Sequence, residues 1–248
     1  MQFYCHSIRM VAYCAFEEWL IGFSYIQIVF FCNGKHTIIH VCQKITLLPA
    51  SGKEARMNFL EERILKDGQV RPGEILKVDS FLNHQIDVGL MEQVGKTFYD
   101  EFGDKGITKI VTIEASGIAI AMMVGQCFGV PVLFAKKAKS KNLDGDLYTS
   151  KVHSYTYGKD YDITLSKKFL TDKDTVLLVD DFLAVGKAMN GLIDICHQAG
   201  AKIGGIGICI EKGFQPGGAR LRGEGYDVKS IAIVDSMTDD GKITFREQ

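Results

Sequence analysis

The chain has 248 residues, of which 46% are hydrophobic and 24% charged, with a formal net charge of −1 at pH 7. Such a chain is globular and long enough to bury a sizeable core. The balanced charge argues against a nucleic-acid-binding surface. Three scattered cysteines after residue 57 fit buried thiols in a reducing compartment, so we expect a cytoplasmic protein that binds neither nucleic acid nor membrane.

The first 56 residues differ in composition from the rest of the chain. They contain no Asp, three Glu and five Lys or Arg, yet they hold four of the seven cysteines. The apolar run at 19–32 is too short to span a bilayer. A Lys-Glu pair at 53–54 can be encoded by AAG-GAG, a ribosome-binding sequence, just before Met57. We therefore expect residues 1–56 to be translated leader DNA or a disordered extension, and 57–248 to be the functional domain.

From Met57 onward, apolar runs typical of strands alternate with stripes of helical spacing. This alternation predicts an α/β fold in which helices cover both faces of a mainly parallel sheet. The polar stretch 139–159 lacks sustained periodicity and predicts a mobile loop or a hairpin. Helices are predicted at 59–66 closed by Gly68, along the stripe 90–102 with Asp87 as N-cap, at 118–128, and along 192–199 ended by Gly200; strands are predicted at 75–78, 110–113, 132–135, 176–179, 206–210 and 230–234.

Two glycine-containing segments come near nucleotide-binding motifs but do not meet their spacing. Between Gly89 and Gly95 there are five residues where a Walker A loop has four, and the segment lies within a helical stripe. The glycines of 204–207 lack the dinucleotide-binding spacing and precede a strand. These glycines are therefore predicted to serve packing.

The most informative stretch is VLLVDDFLAVGKA at residues 176–188. Four apolar residues predict a buried strand, Asp180 and Asp181 follow where it ends, and a short loop containing Gly186 then opens a helix. In an open α/β sheet, ligands bind outside the carboxyl ends of the strands. Backbone N–H groups of glycine turns and helix N-termini attract phosphate. Ribose hydroxyls and a hydrated Mg²⁺ are natural bridges for two adjacent carboxylates, so the pattern predicts a site for a phosphorylated ribose.

This pattern resembles the phosphoribosyl-diphosphate (PRPP) fingerprint of type I phosphoribosyltransferases. Four further segments look like those of the bacterial xanthine phosphoribosyltransferases: ILKVDSFLNHQ at 75–85, TIEASGIA at 112–119, FAKK at 134–137 and GICIEKGFQPG at 207–217. The likeness runs from about Met57 to the C-terminus. It implies the type I phosphoribosyltransferase fold, in which helices flank a mainly parallel twisted sheet. A small hood would be built from the N-terminal elements and the segment after Lys212.

The resemblance implies a homodimeric purine-salvage glycosyltransferase that moves the 5-phosphoribosyl group from PRPP to xanthine. Its products would be xanthosine 5′-monophosphate and diphosphate, and its cofactor Mg²⁺. Two alternatives stay open: the same transfer to guanine, hypoxanthine or adenine, and a PRPP-sensing purine transcription regulator. The regulator is disfavoured because residues 1–56 offer five basic residues and no convincing helix-turn-helix.

The resemblance also implies roles for individual residues. An acid pair, Asp180 and Asp181, would be catalytic, holding the ribose and the water shell of Mg²⁺. The other assignments are PRPP binding by a phosphate loop (Ala184, Val185, Gly186, Lys187 and Ala188), by a diphosphate loop (Glu114, Ala115, Ser116 and Gly117) and by Lys136 and Lys137, and xanthine binding by Leu76, Asn83 and Lys212.

The phosphate loop departs from the broad family pattern, which places Thr or Ser hydroxyls there. Xanthine enzymes commonly have Asn where this chain has Val185. The 5′-phosphate would therefore depend on backbone N–H groups, the helix dipole and Lys187. Segment 139–159 would close over the bound substrates and exclude water.

Overall fold

The computed structural model describes residues 26–32, 35–41, 57–137, 145–154 and 159–247, with 26–32, 35–41, 153–154 and 159–160 described as backbone alone. It divides the chain into two compact units, 1–56 and 57–248. In the first unit, β1 (Ile26–Cys32) pairs antiparallel with β2 (Lys35–Val41). Most of this unit lies outside the described residues, so the predicted start at Met57 and the nature of 1–56 stay predictions.

The second unit alternates strands and helices as the sequence predicts. No helix in the described part of the chain is long and apolar enough to cross a membrane. In chain order its elements are α1 (Phe59–Asp67), β3 (Gln69–Arg71), β4 (Ile75–Lys77), a π-helical turn (Asp79–Asn83), α2 (Val88–Phe102), β5 (Lys109–Ile113), α3 (Gly117–Phe128), β6 (Val132–Ala135), β7 (Leu147–Ser154), β8 (Lys159–Ser166), β9 (Thr175–Leu183), α4 (Lys187–Ala199), β10 (Lys202–Lys212), α5 (Pro216–Gly223), β11 (Val228–Met237) and β12 (Ile243–Phe245).

Six strands form the central sheet in the order β12-β11-β10-β9-β5-β6. Every neighbouring pair is parallel except β11 and β12, which are antiparallel at one edge. Successive residues of β9 enter opposite cores: Leu177 and Val179 join the cluster with α1, α2 and α3, whereas Val176 and Leu178 join the cluster with α4. Burial on both faces explains the continuous apolar run of this strand. The predicted fold class is confirmed.

Local capping explains where the helices begin and end. The Asn58 side chain accepts from the N–H groups of Leu60 and Glu61 at the start of α1, and Gly68 closes that helix by donating to the Ile64 carbonyl. Asp87 caps α2 by accepting from the N–H of Leu90 at 3.1 Å, as predicted. A side-chain acceptor at the N-cap satisfies a helix N–H that has no partner within the helix.

The polar stretch that was predicted to be a mobile loop or a hairpin contributes an antiparallel hairpin, β7 paired with β8. Val152 of β7 and Ile163 of β8 are buried against α4, where a Cβ on Gly191 would lie 2.6 Å from the Val152 side chain. Residues 138–144 and 155–158 lie outside the described residues, so closure of this segment over substrates stays a prediction.

The glycines at 205 and 207 pack β10 against phenylalanine rings of α2. A Cβ on Gly205 would overlap the Phe102 ring, lying 2.6 Å from its Cδ1, and one on Gly207 would lie 3.1 Å from the Phe98 ring. Both rings are fully buried. The packing role predicted for this segment is confirmed, and Gly95 lies within α2, as the rejection of a Walker A loop required.

Gly205→Ala is expected to lower the free energy of unfolding by about 1–3 kcal/mol, because the added methyl must displace a ring in a filled core. Urea denaturation measures the change. Gly89→Ala is the matched control: it lies on an exposed turn of α2 with Asp87 Oδ1 at 3.6 Å as its nearest neighbour, and alanine favours the helix. Equal stability of the Gly205→Ala and wild-type proteins would contradict this account of the packing.

Candidate active site

The acid pair lies inside β9 and not beyond its end, which corrects the predicted strand boundary at residue 179. Strand β5 stops pairing with β9 at Leu178, but β10 continues, matching Ile208 with Asp180 and Glu211 with Leu183. Pairing with β10 on one side extends the strand past the point where β5, which runs on to Ile113, stops pairing with it. The pair thus lies at the carboxyl edge of the parallel sheet, where open α/β sheets bind ligands.

The two carboxylates are buried next to each other. Asp180 is 6% exposed and Asp181 is 9% exposed. An oxygen of Asp180 accepts from the Asp181 N–H at 3.0 Å, and Asn83 donates its amide to an oxygen of Asp181 at 3.2 Å. Burial, and then the neighbouring charge of Asp181, raise the pKa of Asp180 well above its usual value, although the charge of Lys137 opposes this. A cation or hydroxyl donors brought to this pair would therefore stabilise its charged form.

The diphosphate loop joins β5 to α3 and adjoins Asp180. A Cβ on Gly117 would overlap the Thr112 hydroxyl and lie 3.2 Å from Asp180 Oδ1, so glycine permits the first residue of α3 to approach the acid pair. Glu114 donates its N–H to the Ala135 carbonyl at 3.1 Å, and its carboxylate accepts from the Lys137 N–H at 2.6 Å. The peptide bond between Glu114 and the following alanine is cis.

Ala115 and Ser116 complete this loop between Glu114 and the helix. Ala115 is exposed and Ser116 is partly exposed, and the Ala115 carbonyl accepts from the Ile118 N–H at 3.2 Å. Ser116 is the N-cap of α3, but its side chain makes no capping hydrogen bond. The Ser116 hydroxyl therefore lies at the positive end of the α3 dipole, a position that favours an anion.

Lys136 and Lys137 follow β6 and differ in their surroundings. The Lys137 ammonium lies 5.9 Å from the centroid of the Tyr161 ring, and burial together with the charge of Asp180 raises the pKa of that tyrosine. Lys136 exchanges two backbone hydrogen bonds of 2.9 Å with Thr164 and forms part of the wall of a largely apolar cavity beside β6. The charge of Lys137 thus acts on Asp180, whereas the backbone of Lys136 is bound to the hairpin.

The phosphate loop follows β9 and opens α4. Gly186 is the N-cap of α4 with φ = +83°, a left-handed conformation that glycine adopts without steric cost. The Ala184 carbonyl accepts from the Gly217 N–H at 3.0 Å, and the Gly186 carbonyl accepts from the Asn190 N–H at 2.9 Å. No side chain caps the helix here. The backbone donors predicted for an anion therefore stand at a helix N-terminus.

The residues assigned to the base occupy three different settings. Lys212 ends β10, and its ammonium donates to the Glu74 carbonyl at 2.7 Å; burial lowers the pKa of Lys212. Asn83 ends the π-helical turn and reaches Asp181. Leu76 is 7% exposed and belongs to the hydrophobic core, so its predicted contact with the base stays a prediction. Gln215 also donates to the Glu74 side chain at 3.3 Å, which joins the two parts of the predicted hood.

Sequence reasoning missed the short helix α5, which packs on the phosphate loop. Arg220 of α5 donates to the Asn190 side chain at 2.8 Å and contacts the Val185 carbonyl at 3.5 Å. A Cβ on Gly217 would overlap the Ala184 carbonyl oxygen. The Pro-Gly-Gly stretch at 216–218 signalled a turn, but nothing local indicated that this turn starts a helix on the phosphate loop.

A parallel sheet that carries an acid pair and then a backbone anion cradle at a helix N-terminus defines a class of proteins, the phosphoribosyltransferases. Residues 88–217 match the family model described as phosphoribosyl transferase domain. The chain belongs to this family. The resemblance that the sequence motifs carry is thereby confirmed.

Within the family, the chain is similar to xanthine phosphoribosyltransferases. That of Ruminiclostridium cellulolyticum is 58% identical over 191 residues, covering 77% of this chain and 100% of the relative. That of Bifidobacterium adolescentis is 58% identical over 192 residues, with the same coverage. In fold, the chain is similar to adenine phosphoribosyltransferase from Giardia lamblia complexed with 9-deazaadenine, at a TM-score of 0.57 and 25% identity over 66% of this chain and 91% of that one.

Proposed function

We propose that this chain transfers the 5-phosphoribosyl group of PRPP to xanthine, forming xanthosine 5′-monophosphate and diphosphate in purine salvage. One observation carries the proposal: the acid pair and the phosphate loop lie together at the sheet edge of a chain that aligns with the whole length of xanthine phosphoribosyltransferases. The adenine phosphoribosyltransferases that the chain resembles in fold are 15–25% identical to it.

The substitution takes place at an anomeric carbon, so its transition state has oxocarbenium character. The carboxylates of Asp180 and Asp181 hold the ribose hydroxyls and offer negative charge to the developing cation. N–H groups of the phosphate loop and the N-terminus of α4 hold the 5′-phosphate. The diphosphate loop and Lys137 hold the departing diphosphate. The protein supplies position and charge in this mechanism and needs no nucleophile of its own.

The acid pair also fits a hydrated Mg²⁺. Two buried carboxylates adjoin, and burial raises the pKa of Asp180, so a divalent cation would compensate a real electrostatic cost. The described residues hold no cluster of three or more His, Cys, Asp or Glu that could bind a metal; a pair suits a cation that keeps several waters. Asp180 and Asp181 would hold the ion through its water shell, and the bound ion would supply positive charge to the diphosphate leaving group.

Base recognition is assigned to Asn83 and Lys212. The Asn83 amide lies at the acid pair, where it can donate a hydrogen bond to the C2 carbonyl that distinguishes xanthine from hypoxanthine. Lys212 can donate to the purine O6 or N7 acceptor. A site built to hydrogen-bond a substrate carbonyl discriminates strongly against a base that lacks it, because the protein group is then left unpaired.

Lys212→Ala is expected to raise the KM for xanthine by about 10–100-fold, the effect of losing one hydrogen bond to a charged group, and to change the KM for PRPP much less. Steady-state kinetics with each substrate varied in turn measures both constants. Lys229→Ala is the control, since this half-exposed lysine on β11 pairs with Glu101 at the surface and such pairs contribute little. Equal rises in the KM for xanthine and the KM for PRPP would show that Lys212 does not bind the base.

The experiment that tests the proposed function supplies the full chain with PRPP, Mg²⁺ and xanthine, guanine, hypoxanthine or adenine in turn. Chromatography then detects the nucleotide. We expect xanthosine monophosphate to form with the highest kcat/KM, and chelation of Mg²⁺ to abolish it. Preference for another purine would reassign the base. No nucleotide with any base, together with tight DNA binding, would favour the transcription regulator.

A homodimer and a cytoplasmic location belong to the same proposal. Large apolar side chains are exposed on neighbouring elements: Val88 and Tyr99 on α2, Met122 on α3 and Phe134 on β6. Aromatic residues and Met are enriched at the centres of protein interfaces, which supports association of two copies. Light scattering of the purified chain distinguishes a dimer from a monomer by mass.

A further inference from the structure

The phosphate loop has no hydroxyl or amide side chain. Residues 184–188 read AVGKA, so main-chain N–H groups must supply most of the hydrogen bonds to a 5′-phosphate. In a trans peptide the carbonyl of one residue and the N–H of the next point in opposite directions. A donor that binds a carbonyl of this loop on the side away from the 5′-phosphate therefore turns the N–H of the next residue toward the phosphate.

Each of the first three carbonyls of the loop has such an outer partner. Ala184 is bound by the Gly217 N–H and Gly186 by the Asn190 N–H, both of them main-chain donors. The middle carbonyl, that of Val185, is contacted at 3.5 Å by the Arg220 guanidinium. The middle peptide is thus the one whose orientation depends on a side chain.

The Arg220 guanidinium is held in place by two further contacts. It donates to the Asn190 side chain at 2.8 Å, in the first turn of α4, and to Glu224 at 2.9 Å, one turn along its own helix. A Cβ on Gly186 would lie 3.1 Å from Arg220 Nη2, so the guanidinium lies directly against the loop. Arginine presents its donors in a rigid planar fork, which lets one side chain bridge α5, the loop and α4.

We propose that Arg220 is a positioning residue for the 5′-phosphate: by holding the Val185 carbonyl, it aims the Gly186 N–H at the phosphate. This inference rests on the proposed function in taking residues 184–188 as the 5′-phosphate site. The bond to Glu224 alone does not explain the residue, because Arg220 and Glu224 side chains are 36% and 46% exposed and exposed pairs of this kind stabilise little.

The test measures binding of ribose 5-phosphate and of diphosphate to the full chain by calorimetry. Arg220→Ala is expected to weaken ribose 5-phosphate about 5–20-fold, the effect of misaligning one or two hydrogen bonds, and to leave diphosphate binding within twofold. Glu224→Gln is the matched control and should change neither, because its amide oxygen can still accept from Arg220 and only the charge of an exposed pair is lost. Unchanged ribose 5-phosphate binding in Arg220→Ala, or equal weakening of both ligands, would overturn the proposal.

Two further variants separate geometry from charge and from folding. Arg220→Lys keeps the charge but lacks the fork, so most of the loss should remain; full recovery would contradict positioning by the guanidinium. Asn190→Ala removes the partner of the guanidinium at an exposed helix site and should weaken ribose 5-phosphate in the same direction, which keeps the test decisive if Arg220→Ala fails to fold. Neither measurement needs turnover, so failure of xanthine transfer is recognised separately.

Discussion

Asp180→Asn and Asp181→Asn are each expected to lower kcat for nucleotide formation by at least about 100-fold, the scale on which enzymes lose rate when a preorganised charge is removed. The amide keeps the size of the side chain but loses the charge that faces the developing oxocarbenium ion. Steady-state assays with PRPP, Mg²⁺ and xanthine measure the loss. Full activity in either variant would refute the catalytic role of that residue.

We expect the loss of kcat in Asp180→Asn to occur without unfolding of the protein. Burial and the charge of Asp181 raise the pKa of Asp180, which means that the ionised form of this carboxyl is unfavourable in the folded protein. An amide cannot ionise and so avoids the electrostatic cost of a buried charge beside Asp181, and we therefore expect Asp180→Asn to unfold at the same or a higher urea concentration than the wild type. Asp194→Asn, on the exposed face of α4, is the control and should keep full activity.

Gly217→Ala is expected to lower kcat/KM for PRPP by about 100-fold, since displacing a binding element by about 1 Å can have an effect of that size. The added methyl would overlap the Ala184 carbonyl oxygen and lie 2.9 Å from the Val185 carbonyl carbon and 3.0 Å from the Gly186 nitrogen. These are main-chain atoms, which cannot move aside as a flexible side chain does. The phosphate loop must shift as a whole.

Gly223→Ala provides the matched control for this substitution. It places the same methyl at the other end of α5, where nothing lies within 4 Å. Its kinetic constants should equal those of the wild type. If Gly217→Ala and Gly223→Ala retain the same kcat/KM for PRPP, α5 does not fix the phosphate loop.

Local sequence patterns predicted the helices that bury an apolar stripe and the strands that are apolar along their whole length. Strand β6 and the N-cap of α2 match their predicted residues, and α3 begins one residue before its predicted start. These elements are encoded locally, because periodicity and capping depend on residues a few positions apart. The acid pair and the phosphate loop could be predicted as one site for the same reason: the strand, the carboxylates, the glycine and the helix start are contiguous in the sequence.

The features that were missed depend on partners far away in sequence. Strand β9 extends to Leu183 because β10 pairs with it. Helix α5 has the sequence PGGARLRG, whose three internal and terminal glycines argue against a helix; docking on the phosphate loop compensates. The contact of Asn83 with Asp181 joins residues 98 positions apart. Each of these three features depends on tertiary packing, which local sequence patterns do not reveal.

A crystal structure of the full chain with PRPP and Mg²⁺ tests the central claim most directly. The account predicts the 5′-phosphate within hydrogen-bond distance of the N–H groups at residues 185–188, and the ribose hydroxyls beside Asp180 and Asp181. A sugar phosphate bound elsewhere on the sheet, with residues 180–188 unoccupied, would contradict it.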